Sequence, residues 1–248
     1  MPAEDIDQVI VDLTRIIDDC IQRESKLGFF AALYRKVTIR VRDDIARGDV
    51  FEDNDRVERL DVVFANRYLT AYEAHQRGES CRDCWQVAFD AAAGRRLIII
   101  QHLLLGINAH INLDLGAAAA AVSPGSAIGG LKHDFDMINQ VLADLVAGVI
   151  EDVGRLSPWL ALLDRVGART ERATINFSID VARRKAWEFA QELAPVEDRS
   201  RMMEDRDRVV ADLGKLVRHP GPLVSTVNLI IKAREVKDIA RIIEVLAD

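Results

Sequence analysis

RRLIIIQHLLLGINAHINLDLGAAAAAV, running from Arg95 to Val122, decides the fold. It reads as one long helix that is apolar on every side, and such a helix is buried. Yet it carries Gln101, His102, Asn108, His110, Asn112 and Asp114. Burying polar side chains costs on the order of 1–3 kcal/mol apiece unless each finds a partner. The helix therefore implies hydrogen-bond partners, a metal ion or a polar ligand in the core.

At about 100° per residue the six groups sort into two stripes. His110 and Asp114, four apart, stack on one face, with Gly106 a turn earlier and His102 a turn before that, roughly 80° around from His110. Gln101, Asn108 and Asn112 form the second stripe, which has the composition of hydrogen-bonding support. A histidine and a carboxylate at this spacing can point at one ion, and the pairing suits Zn, Fe or Mn better than a thiolate-selecting metal. The expected metal ligands are His110 and Asp114, with His102 as a third. His102 lies about 12 Å along the axis from His110, so it is also a candidate for a second ion, a substrate contact or a proton carrier. Two other readings stand beside the metal site: a metal-free polar pocket, and a network that only ties helices together.

Working outward, helical spacing covers residues 4–25, 29–47 and about 53–76, the last capped by Asp53 or Asp55. In the third helix Asp61 is the candidate carboxylate from a second element, with an ion pair to Arg40 or Arg67 as its alternative. Arg67 and Tyr68 are surface types by default; with Asn112 and Gln101 they are also candidates for holding substrate. Catalytic roles are assigned to His102, Asp61 and Asn108. A short helix follows over 85–93, a Ser/Pro/Gly loop over about 123–130, and a helix from 132 to about 151. Further helices are expected from Pro158, over 170–193, 199–218, 222–233 and 236–246. No alternation long enough for a sheet and no phosphate-cradling glycine turn appears. The expectation is all-α: a single-domain globular multi-helix bundle spanning 1–248 around one buried apolar helix.

A net charge of −7 opposes nucleic acid as the main partner. The acidic, amphipathic start resembles no leader peptide, and the polar breaks in the apolar run argue against a membrane span, so a cytoplasmic protein is expected. Cys81 and Cys84 have the spacing of half a zinc knuckle without its second half, which favours incidental loop thiols.

The run Gln101 to Ala118, together with ALYRKVT (Ala32 to Thr38), RLDVVFANRYL (Arg59 to Leu69), DFDMINQVLA (Asp134 to Ala143) and ARRKAW (Ala182 to Trp187), resembles an actinobacterial family of helical proteins catalogued as a domain of unknown function. The resemblance spans most of the chain. It implies a single helical domain and draws attention to His102, His110, Asp114 and Asp61, without supplying a reaction.

The functional expectation is an enzyme with a buried inter-helical site, metal-dependent, acting on a small and largely apolar substrate by hydrolysis, oxidation or lyase chemistry, with homo-oligomerisation left open. The alternatives are a non-enzymatic binder of lipid-like or other small molecules, a scaffold for protein partners, and a terpene-cyclase-like lyase. The last is weakened because no DDxxD run sits on a core helix.

Overall fold

A computed structural model describes residues 2–163 and 179–248. Among them are eleven α-helices and no strand: α1 (Ile6–Gln22), α2 (Gly28–Arg47), α3 (Asn54–Gln76), α4 (Asp83–Ala93), α5 (Ile99–Ala109), α6 (Gly116–Val122), α7 (Lys132–Leu156), α8 (Ile179–Leu193), α9 (Ser200–Arg218), α10 (Pro222–Arg234) and α11 (Ile239–Ala247). The all-α architecture expected from the periodicity is what the chain adopts. Residues 170–178 of the helix expected over 170–193, and the end of the one expected from Pro158, lie outside the described residues.

Local signals set several boundaries. Asp5 and Asp53 accept from the backbone N–H three residues on and so cap α1 and α3. Gly48 ends α2 with φ of 77°, a left-handed conformation that a side chain would strain. The helix expected to stop near residue 151 continues to Leu156.

The central helix is where local geometry departs from expectation. It runs from Ile99 to Val122, but His110–Leu115 forms a π-helical segment between α5 and α6. Such a turn closes i to i+5 bonds, is rare, and collects at functional sites. Here it holds His110, Asn112 and Asp114. By length and apolarity alone this helix could cross a membrane, yet 89% of its most apolar window is buried inside the fold. It is the core around which α2, α3, α4, α8 and α9 pack.

Two glycines let neighbours come close. A Cβ on Gly106 would lie 2.5 Å from the ring of Phe30 on α2, and one on Gly116 would lie 2.6 Å from the backbone carbonyl of Ala186 on α8. The alanines that follow, Ala117 to Ala120, are buried. Small residues here replace side-chain volume with backbone approach, and α8 uses it.

Candidate functional site

The site is assembled from the π segment and three helices around it. α2 contributes Phe30 and Tyr34, one turn apart. α3 contributes Asp61, Phe64, Arg67 and Tyr68, and α4 contributes Trp85 from its first turns. The π segment contributes His110 and Asp114.

Asp114 is the best-connected carboxylate in this cluster. Its Oδ1 accepts from Arg67 Nε at 2.8 Å and its Oδ2 from the indole Nε1 of Trp85 at 2.8 Å. The Nδ1 of His110 stands 3.6 Å from the same Oδ2, too long for a hydrogen bond. Burial works to raise the Asp114 pKa, but His110, Arg67 and Trp85 outweigh it and hold the carboxyl below its ordinary range. Asp114 is therefore a buried anion at neutral pH.

His110 is 4% exposed and ringed by aromatic side chains. Phe64 stacks on it with ring centroids 3.5 Å apart and planes 9° from parallel. Tyr34 meets it edge-on at 4.4 Å, and Phe30, Trp85 and Tyr68 complete the cage at 5.6–6.3 Å. Burial lowers its pKa, with Asp114 opposing and Arg67 assisting. The imidazole is thus neutral, and neither ring nitrogen has a hydrogen-bond partner.

The same neighbourhood holds more unpaired polar atoms. The hydroxyls of Tyr34 and Tyr68 and Oδ2 of Asp61 are buried without partners. Burial raises both phenol pKa values far above normal, so both hydroxyls keep their protons. Burial first, and Glu58 second, push Asp61 up to about 7. Neither ion-pair partner expected for Asp61 is available: Arg40 pairs with Asp44, and Arg67 with Asp114.

The expected metal site is not assembled. Among the described residues no group of three or more His, Cys, Asp or Glu side chains is placed to hold an ion. The donors also fit poorly. Asp114 spends its oxygens on a guanidinium and an indole, and a divalent cation would have to displace the positive charge of Arg67. His102, eight residues before His110, faces another neighbourhood. It meets Phe29 edge-on at 5.8 Å, and burial with the charges of Lys26 and Lys232 pushes its pKa down to about 3. Its Nε2 is unpaired. A hollow of about 20 Å³ lined by Phe30, Tyr68, Trp85, His102 and Gly106 lies between the two histidine neighbourhoods, room for about one water.

The second stripe has a different occupation. Gln101 donates to Val217 O at 2.7 Å and accepts from Ile98 N at 3.2 Å. Asn108 donates to Val210 O at 2.8 Å, and Asn112 donates to Asn108 Oδ1 at 3.0 Å. Arg206 returns a bond to Asn112 O at 2.8 Å. All these links beyond the central helix reach α9, so the stripe expected to offer a catalytic Asn108 and substrate contacts at Asn112 and Gln101 instead joins two helices.

Arg67 and Tyr68, surface types by default, are drawn inward. Tyr68 is 1% exposed and the Arg67 side chain 30%. Trp85, Tyr34 and Phe64 were not singled out from sequence, since an aromatic residue at helical spacing reads as core and only a fold shows which ring meets an imidazole. Burial disfavours the thiolate at both cysteines of the CxxC pair. Cys84 is buried with its thiol pKa driven up, Cys81 is pushed up to about 11 by burial, and both are free thiols. Their loop is instead organised by Asp207 of α9, which accepts from the backbone N–H groups of Asp83 and Cys84 at 2.9 Å each and so caps α4.

Residues 6–220 match a family of unknown function, DUF5995, and the chain belongs to that family. No curated protein and no solved structure matches it.

Proposed function

We propose that this member of a family without an assigned activity is an enzyme with a metal-free acid–base centre, in which His110 moves a proton on a small, largely apolar molecule carrying one oxygen function. The observation that carries the reading is the His110 imidazole, neutral and unpaired at both nitrogens, standing beside a buried anionic carboxylate. Unpaired buried polar atoms are costly, and His110, Tyr34, Tyr68 and Asp61 concentrate that cost in one place.

Each residue has a role in this reading. A shortening of roughly 0.5 Å would bring His110 Nδ1–H into a hydrogen bond with Asp114, leaving Nε2 as the base. Asp114 would then stabilise the imidazolium formed when the proton arrives, while Arg67 and Trp85 hold the carboxylate in place. Tyr34 and Tyr68, protonated across the physiological range, would donate to the ligand oxygen where negative charge develops. Asp61, titrating near neutrality, supplies a second proton-exchanging group. The cage is otherwise hydrocarbon, which sets the character of the ligand. Phe64 is half-buried and lies flat on His110, so it is the ring that moves to admit one.

The test is protein-observed NMR of the full chain with a panel of short- and medium-chain alcohols, ketones and carboxylic acids, in the wild type and in Phe64→Ala, which opens the cage. The expected result is selective shifts of the His110 and tyrosine ring signals by the ketones or alcohols, lost in His110→Phe. A panel that leaves the His110 signals unmoved in both proteins would overturn the reading. Ligand binding that persists in Asp114→Asn without any proton exchange into the ligand would favour the non-enzymatic binder instead.

A further inference from the structure

The penultimate helix α10 carries an apolar outer face that the described residues leave uncovered. Only Val224, Asn228 and Ile231 of α10 are buried against the body. On the opposite side Leu223 is 61% exposed, Leu229 55% and Ile230 44%. Leu223, Ile230 and Arg234 fall at i, i+7 and i+11, one stripe of the helix. At its end the guanidinium of Arg234 lies 5.0 Å from the ring of Trp159, itself 42% exposed. An exposed tryptophan beside a cation, continuing a row of exposed Leu and Ile, is not what a freely solvated helix needs.

The charge around this face is the reverse of the whole chain. From Asp212 to Asp238 there are five cations, Lys215, Arg218, Lys232, Arg234 and Lys237, against three acids, Asp212, Glu235 and Asp238, and Asp212 pairs with Lys215. Glu235 is buried, where it accepts from Ile99 N and Ser157 and pairs with Lys232. The remainder of the molecule therefore carries the entire net charge of −7 and more. An exposed aliphatic stripe on a helix, with a tryptophan from a neighbouring segment and a basic rim beside it, is suited to lie in the headgroup region of an anionic bilayer. A second copy of the chain fits less well, because a two-fold contact would set this basic rim against itself.

We propose that α10 and Trp159 form a membrane-surface docking face for anionic lipid, with Leu223 and Ile230 inserted and Arg218, Arg234 and Lys237 over the headgroups. Apart from Trp159 and Arg218 the face lies beyond the family-matched residues 6–220. The experiment is co-flotation of the full chain with vesicles of phosphatidylcholine alone or with roughly one-third phosphatidylserine. The expected result is flotation only with the anionic vesicles, a blue shift in tryptophan emission that is absent in Trp159→Phe, and release at high salt. Arg234→Glu with Lys237→Glu should weaken binding about thirty-fold or more. Ile230→Asp, an exposed change compatible with the fold, should also abolish flotation. Absence of flotation, or equal flotation on both vesicles, would overturn the proposal. So would a concentration-dependent dimer in light scattering that Ile230→Asp dissociates, since it would assign the face to a second copy.

Discussion

The two polar stripes of the central helix have similar burial and opposite bookkeeping. On the α9 side, Gln101, Asn108 and Asn112 are all bonded, and each bond links the helix to a neighbour or to its own stripe. On the α2/α3 side, Asp114 is bonded but His110, Tyr34, Tyr68 and Asp61 leave polar atoms without partners. A buried amide that reaches a carbonyl explains itself as structure. A buried imidazole whose nearest carboxylate oxygen stays at 3.6 Å is a cost the fold retains, and the difference separates a scaffold stripe from a candidate site on a single helix.

Substitutions can break or sharpen this contrast. The largest effect is expected at Asp114→Ala, which strands the guanidinium of Arg67 and the indole N–H of Trp85. The loss should be on the order of 3 kcal/mol in urea unfolding, reduced somewhat because Arg67 reaches solvent. A loss below about 1 kcal/mol would mean the carboxylate does not organise the cage.

Next comes Asp61→Asn, whose effect depends on pH. The Asp61 carboxyl titrates near 7 in the folded state and near 3.8 when unfolded, so between these values the folded state holds the extra proton. Stability from this group is therefore present at acid pH and lost as pH rises from about 4 to 7. Asn cannot ionise, so the variant should gain roughly 2–4 kcal/mol over wild type at pH 8 and little below pH 4. Parallel pH profiles in thermal unfolding would show that Asp61 has a partner or water that lowers its pKa.

The smallest pair tests the contrast itself. Asn108→Ala leaves Val210 O and Asn112 short of a partner and should cost about 1–2 kcal/mol with no effect on ligand-induced NMR shifts. His110→Phe exchanges an unpaired imidazole for a ring of similar shape, and should be neutral or stabilising by about 1 kcal/mol while those shifts disappear. If both variants lose stability equally, the imidazole is paired in solution and the two stripes are alike.

Much of this was legible beforehand. The apolar run read as a core helix, and its 3.6-residue period separated Gln101, Asn108 and Asn112 from His110 and Asp114 as the fold does, but it grouped His102 with the latter, and the structure turns His102 toward Phe29 instead. The pairing of His110 with Asp114 followed from their spacing, although the π turn that carries them has no signature in composition. Asp61 and Tyr68 were visible as polar interruptions, but not their fate. The arginine expected to satisfy Asp61 goes to Asp114, a competition between helices distant in sequence. That same competition weakens Asp114 as a metal ligand, because a carboxylate already paired with Arg67 has little left to offer a cation.

Periodicity and composition by themselves determined the helical class, the identity of the buried helix and the list of polar groups inside it, since these depend on local spacing and on the cost of exposing apolar surface. Only the tertiary structure decided which of those groups were paired. Hydrogen-bond partners such as Val210 O, Val217 O, Arg67 and Trp85 come from other helices, and their distance from a given side chain is set by packing and not by position along the chain.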